Sequence, residues 1–142
     1  MRAEHIPSVV ELERRCQLST RGEDGYARLI LEMNSVSLVA VDEGLKVIGC
    51  FSGRLVADEF EIDNVAVSPD WRKSGVGSKL LSAAIEIVRQ KEVNQVFLEV
   101  RSNNQAAYAL YEKLGFVLVG RRKNYYRAPE DDALIFSLKI VG

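Results

Sequence analysis

The stretch Asp63-Asn64-Val65-Ala66-Val67-Ser68-Pro69-Asp70-Trp71-Arg72-Lys73-Ser74-Gly75-Val76-Gly77-Ser78 decides the fold. Val65 to Val67 end a β-rich run and Ser68-Pro69-Asp70 breaks it. The pair Gly75-x-Gly77 then opens a stretch in which Val76, Leu80, Ala84, Ile87 and Val88 recur at helical spacing. A buried strand running through a loop into a glycine-opened helix is a seat for a pyrophosphate. The first N–H groups of a helix lack intrahelical partners and point at an anion, whose charge the helix dipole favours. Glycine lets phosphate oxygens approach the main chain closely, and Arg72 and Lys73 add positive charge.

Three phosphate-binding patterns compete for this stretch. A P-loop needs Gly, four residues, then Gly-Lys-Ser/Thr; Gly77-Ser78-Lys79 breaks that order, and Arg72 stands where the first glycine is required. A dinucleotide-binding turn needs Gly-x-Gly-x-x-Gly tight against its strand. Here Leu80 occupies the third glycine position and seven residues separate Val67 from Gly75, although Glu99 lies at about the right distance for a ribose-binding acid. Spacing weakens this alternative and leaves it open. The third pattern, Gln/Arg-x-x-Gly-x-Gly/Ala after a strand, is met by Arg72, Gly75 and Gly77 without a mismatch.

Working outward, Pro7 and Ser8 open an apolar-periodic stretch through Val9, Val10, Leu12 and Cys16, and Tyr26, Leu29, Ile30 and Met33 continue at helical spacing. The period then drops to two. Strands are expected over residues 37–41, 46–56 and 60–67, with Asp42-Glu43-Gly44 as a turn. After the helix at 75–90, Gln95 to Val100 reads as a short buried strand. Ser102-x-x-Gln105 matches a capping box, with Ala107, Leu110, Tyr111 and Leu114 on one face of the helix it opens and Gly115 as its stop. Two last strands are expected at 116–125 and 133–141. The order α-α-β-β-β-α-β-α-β-β, with one β-α-β crossover among hairpins, predicts a mixed α/β sheet with helices on its faces. Nothing marks a linker or repeat, so residues 1–142 are expected to form a single domain.

Composition narrows the chemistry. Nineteen basic and twenty acidic side chains give a net charge of −1, so nucleic acid is not an expected direct partner. No apolar run is long enough for a membrane span and no export signal opens the chain. Cys16 and Cys50 therefore read as reduced thiols of a cytoplasmic protein. His5 is the only histidine. No His/Cys metal cluster is expected, and a Ser-His-Asp or Cys-His couple would require His5 to fold far inward. Carboxylates, tyrosines, main-chain amides and a bound co-substrate remain to do the work.

The third pattern is the acetyl-coenzyme A signature of the GNAT superfamily of N-acetyltransferases, which this sequence resembles over nearly its whole length. Phe97-Leu98-Glu99-Val100-Arg101-Ser102-Asn103-Asn104-Gln105-Ala106-Ala107, Ala109-Leu110-Tyr111-Glu112-Lys113-Leu114-Gly115-Phe116 and Arg121-Arg122-Lys123-Asn124-Tyr125-Tyr126 are similar to the RimI subgroup, bacterial enzymes that acetylate the N-terminal alanine of a ribosomal protein. The resemblance implies acetyl transfer from acetyl-CoA to an amine in a ternary complex, with no metal and no acyl-enzyme. It makes Glu99 the general base and Tyr111 the general acid. A free glutamate titrates near ~4.3 and a peptide amine near ~8, so a bridging water is the easier proton route. Val65, Ala66 and Val67 would pair by main chain with the pantetheine amides, one N–H there (that of Val67) polarising the thioester carbonyl. Arg72, Lys73, Ser74, Gly75, Val76, Gly77 and Ser78 would seat the pyrophosphate, Asn104 would contact the pantetheine arm, and Tyr125 would help shape the acceptor slot.

Each role has a plainer structural counterpart. Glu99 could be a strand-end acid paired with Arg101 or Lys113, Tyr111 a core tyrosine, Asn104 a helix cap, and Tyr125 an ordinary sheet aromatic. Subgroup members carry a Pro-Trp-Ser-type element between the first two helices, where this chain has Leu18-Ser19-Thr20-Arg21-Gly22-Glu23-Asp24. Three functions stay open: a protein N-terminal acetyltransferase, ribosomal protein included; an acetyltransferase for a small amine or a lysine side chain; and a non-catalytic acyl-CoA-binding module. Superfamily members are often dimers, and no interface is legible here.

Overall fold

The computed structural model describes residues 1–127 and 130–140. After a 3-10 turn at Ala3–His5 come α1 (Ile6–Arg15), α2 (Gly22–Leu29), β1 (Ser35–Val41), β2 (Val47–Val56) and β3 (Glu59–Val67). A second 3-10 turn, Pro69–Trp71, leads to α3 (Val76–Arg89), β4 (Gln95–Arg101), α4 (Gln105–Lys113), β5 (Val117–Arg127) and β6 (Glu130–Lys139). The order matches expectation, and three details differ. Met33 lies beyond the end of α2 and is 91% exposed, so the helical spacing of Tyr26 and Leu29 does not extend to it. The last two strands reach closer together than expected, to Arg127 and from Glu130; Val141, the expected end of the final strand, lies outside the described residues. The capping box fails. Asn104 is the N-cap of α4 and accepts from Ala107 N at 3.2 Å, while Ser102 Oγ donates to Asp131 Oδ1 at 2.5 Å.

The sheet has six strands in the order β1-β2-β3-β4-β6-β5. All neighbours are antiparallel except β3 and β4, joined through α3 by a crossover, and α4 makes a second one, from β4 past β6 to β5, where a single crossover was expected. One face carries Phe51, Phe60 and Phe136, packed with Leu81 and Val88 of α3 and Tyr111 of α4. The other carries Cys50 and Ala66 under Val9, Leu12, Tyr26 and Leu29 of α1 and α2. With both faces covered, Val47 to Gly53 of β2 are continuously buried rather than alternating. No helix among the described residues is long and apolar enough to cross a membrane.

A β-bulge decides where the site opens. Between β2 and β3 the register steps from Ser52↔Asn64 to Gly53↔Ile62, leaving Asp63 without an opposite residue. The extra residue reverses which side chains face which layer. Phe60 and Ile62 pack with the α3/α4 core; past the bulge Val65 does so, and Ala66 packs under α1 and α2.

Candidate active site

β3 and β4 pair only from Glu59↔Gln95 to Ile62↔Leu98. Beyond the bulge β3 continues alongside β2 as far as Val67, while β4 continues alongside β6 as far as Arg101. A bulge bends its strand and increases its twist, and the two strands part. The gap is a cleft of about 1520 Å³ whose lining includes Val65, Glu99, Asn104, Tyr111 and Tyr125. A strand edge without its ladder partner presents free N–H and C=O groups, which suits an extended chain bearing amides. Of the three residues expected there, Val65 lines the cleft. Ala66 is buried on the opposite side, and the Val67 carbonyl accepts from Cys16 Sγ at 3.4 Å.

The glycine-opened turn forms an exposed lip beyond the end of β3. Lys73 and Gly75 both have positive φ, 65° and 89°. A Cβ on Gly75 would meet nothing within 4 Å, so that position requires glycine for its backbone conformation and not for space. Gly77 differs: a Cβ there would stand 3.1 Å from Leu110 Cδ2, so its smallness lets α3 lie against α4. The N-cap Gly75 supplies no side-chain bond to the first turn of α3, leaving the amides of Val76, Gly77 and Ser78 for an anion. Ser74 Oγ donates to the Trp71 carbonyl, which tightens the turn, and the Arg72 guanidinium reaches Cys16 Sγ at 3.8 Å. Residues 72–78 do not line the cleft itself; they stand past its β3 end. The free helix amides and the left-handed backbone at 73 and 75 fit a pyrophosphate, and the opened β3 edge fits an amide-bearing arm.

Glu99 sits on β4 one residue past its last pairing with β3, its side chain 32% exposed. Its ion-pair partner is Arg122 Nε on β5 at 3.5 Å, not the Arg101 or Lys113 expected for a strand-end acid. Arg101 instead lies over the Tyr126 ring at 4.2 Å, and Tyr126 meets Tyr125 edge-on at 5.2 Å. Tyr125 is 48% exposed, with the Arg122 guanidinium 5.4 Å above it. Tyr111 belongs to the core and to the cleft at once. It is 6% exposed, meets Phe116 edge-on at 5.7 Å and lies 6.0 Å from Phe136. Burial pushes its phenol up to about 12. Asn104 lines the cleft with its Oδ1 committed to capping α4, so its amide nitrogen is what remains for a ligand.

The opposite wall is the α1–α2 connection, Cys16 to Arg21. Arg21 pairs with Asp63 at the bulge. Glu13, fully buried, accepts from Tyr26 OH and from Asn64 Nδ2, both at 2.6 Å, and Asn64 Nδ2 also donates to the Ser19 carbonyl at 2.8 Å. Sequence reasoning missed Glu13, Asn64 and Arg122. Glu13 lies on the inner face of its helix with no local mark of its role, and a strict period of two would place Asn64 beside Ile62. Asp131 and Asp132 hold the last hairpin. Asp131 accepts from Ser102 Oγ and from Asn103 N at 3.2 Å; Asp132 accepts from Asn124 N at 2.9 Å and Arg121 Nη1 at 2.7 Å. These bonds hold both carboxyls below their usual range, the Ser102 hydroxyl foremost for Asp131 and the Asn124 amide for Asp132. Among the described residues no group of three or more His, Cys, Asp or Glu is placed to hold a metal ion.

Comparison with known proteins gives three concordant findings. The model of the acetyltransferase (GNAT) family matches residues 6–116. A Bacillus subtilis protein named as a candidate ribosomal protein bS18-alanine N-acetyltransferase is 32% identical over 140 residues, which is 99% of this chain and 93% of that protein. The Escherichia coli K12 ribosomal protein bS18-alanine N-acetyltransferase is 42% identical over 89 residues, covering 61% of this chain and 60% of its own. Among solved structures, the ribosomal-protein-S18-alanine N-acetyltransferase from Escherichia coli superposes with TM-score 0.88 at 30% identity, covering all of this chain and 92% of that one. Ard1 from Thermoplasma volcanium gives TM-score 0.89 at 26% identity, covering all of this chain and 95% of its own.

Proposed function

The chain belongs to the acetyltransferase (GNAT) family and is an acetyl-CoA-dependent N-acetyltransferase, and we propose that its acceptor is the N-terminal α-amine of a protein, alanine first, with a ribosomal protein as substrate. One observation carries this. A single cleft, opened where β3 and β4 part, holds Glu99, Tyr111 and Tyr125 between the Cys16–Arg21 wall and the β5–β6 hairpin. Such a slot admits a chain end, and its acid and phenol meet what enters. The names of the relatives point to the same acceptor.

In this proposal the acetyl thioester is the acyl donor, and the chain's own groups do the rest. The β3 edge from Val65 to Val67 orients the pantetheine arm, the Val67 N–H faces the thioester oxygen, and residues 72–78 hold the pyrophosphate. Asn104 meets the arm through its amide nitrogen. Glu99 takes a proton from the incoming ammonium through a water, and the amine lone pair is then free to attack. As the C–S bond breaks, Tyr111 donates a hydrogen bond to the departing thiolate, and the new amide nitrogen gives up its second proton to water. With the phenol at about 12 and a thiol near ~8.5, complete transfer is uphill by about 3.5 units, or roughly 5 kcal/mol, so donation rather than full transfer is its resting-state role. Tyr125 and Tyr126, stiffened by Arg122 and Arg101, flank the substrate's first residues. Residues 1–142 act as one N-acetyltransferase domain.

A second acceptor class has an observation of its own. Glu59 and Glu61 line the cleft, and neither is ion-paired among the described residues, whereas Asp63 is held by Arg21 and Glu99 by Arg122. Acidic lining suits a small cationic amine or a lysine side chain. Thiol release from acetyl-CoA decides between the two. Turnover of peptides beginning with Ala, abolished when that terminus is blocked, supports the first; turnover confined to free small amines moves the assignment to the second.

A further inference from the structure

The α1–α2 connection runs along β3 and is tied to it three times, in order. Cys16 Sγ donates to the Val67 carbonyl, Asn64 Nδ2 to the Ser19 carbonyl, and Arg21 pairs with Asp63. The first is a weak thiol bond at 3.4 Å and the last is partly exposed, each side chain about a quarter accessible. The middle tie alone is backed by a fully buried group. An asparagine amide has two N–H donors, and here one goes to Glu13 Oε2 and the other to the loop. Glu13 Oε2 also takes the Tyr26 hydroxyl of α2.

Burying a carboxyl among apolar side chains is unfavourable unless its bonds are complete. Those of Glu13 are not: Oε1 is buried without a partner among the described residues. No lysine or arginine pairs with Glu13 among the described residues. A leucine would fill the same space but would strand the buried Tyr26 hydroxyl and one Asn64 N–H. What leucine could not do is hold Asn64 so that its second N–H meets the loop. We propose that Glu13 and Asn64 form a strut that fixes the spacing between the acceptor wall, Cys16–Arg21, and the strand past the Asp63 bulge. Both are positioning residues for the acceptor, acting through the loop. This rests on the proposal that the acceptor enters along that wall.

The test compares the wild-type chain with Asn64→Ala and Glu13→Gln. Three readouts are needed: hydrogen exchange of the amides at 17–20, separate KM values for an Ala-initiated peptide and for acetyl-CoA, and the melting temperature. Asn64→Ala should speed exchange of the loop and raise the peptide KM, each on the order of tenfold, with kcat and the acetyl-CoA KM within about twofold. Glu13→Gln keeps a carbonyl oxygen at the Oε2 position and should stay near wild type in both. Unchanged loop exchange in a folded Asn64→Ala chain overturns the strut, and so does a parallel rise in both KM values with a lowered melting temperature. If the alanine variant does not fold, Asn64→Ser shortens the donor and is read the same way. A wild-type chain that turns over no peptide sinks the proposed acceptor, while loop exchange still decides the strut.

Discussion

The two parts of the site are built from different material. Residues 63–78 offer a ligand main chain: a strand edge freed from its parallel neighbour, a left-handed turn at Lys73 and Gly75, and helix amides that no side chain caps. The acceptor part offers side chains, with Glu99 held by Arg122 and with Tyr125 and Tyr126 stacked with guanidinium groups on one wall, and the Cys16–Arg21 loop tied down by Asn64 and Asp63 on the other. Main chain suits a ligand that never changes, since amides and helix termini read an arm and a pyrophosphate without help from particular residues. Side chains suit an acceptor that differs between enzymes. Substitutions should therefore separate cleanly, those on one side moving acetyl-CoA constants and those on the other moving acceptor constants.

The harshest probe of this division is Glu99→Gln, which keeps the shape and removes the proposed base. It should lower kcat by on the order of 10²- to 10³-fold, with acetyl-CoA affinity by calorimetry unchanged. A weakened cofactor would place Glu99 on the other side. Tyr111→Phe removes one hydroxyl from a ring that stays packed on Phe116 and Phe136. A thiolate leaves more readily than an amine, so a smaller drop in kcat, roughly 10- to 100-fold, is expected in a thiol-release assay. Gly75→Ala tests the main-chain side. With space around it but φ at 89°, the new side chain costs about 1–2 kcal/mol in that conformation, which is roughly 5- to 30-fold in acetyl-CoA KM. An equal rise in peptide KM would break the division.

The mildest effect is on stability. Burial is the main cause that raises Tyr26, Cys50 and Tyr111 above their ordinary values. In each case the folded chain keeps a proton that the unfolded chain releases. Their contribution is intact below the unfolded values, the lowest being 9.0 for the thiol, and is lost as pH rises toward the folded ones, about 12 for Tyr111. Melting temperature should fall beyond about pH 9, less steeply above about 10 in Tyr111→Phe. An unchanged slope in that variant would mean that Tyr111 is better solvated than its packing indicates.

Legibility followed the same divide. Arg72, Gly75 and Gly77 stand within six positions, and their spacing alone predicts the turn and helix found there. The order of elements was equally readable, because apolar periods of two and 3.6 are local. Asn104 shows where local reading fails: Ser102-x-x-Gln105 has the form of a capping box, but the Ser102 hydroxyl meets Asp131, 29 residues away, and Asn104 takes the cap.

By itself, then, the sequence determined the strand–loop–helix seat, the need for glycine at 75 and the succession of strands and helices, since backbone conformation answers to residues a few positions away. Only the tertiary structure decided that β3 and β4 part after Ile62 and Leu98, that Arg122 rather than Arg101 faces Glu99, and that Glu13 reaches Asn64 across 51 residues. The first and the last of those outcomes depend on one unmatched residue, Asp63, which turns the rest of β3 over, and no period read along the chain reports where an opposing strand will skip.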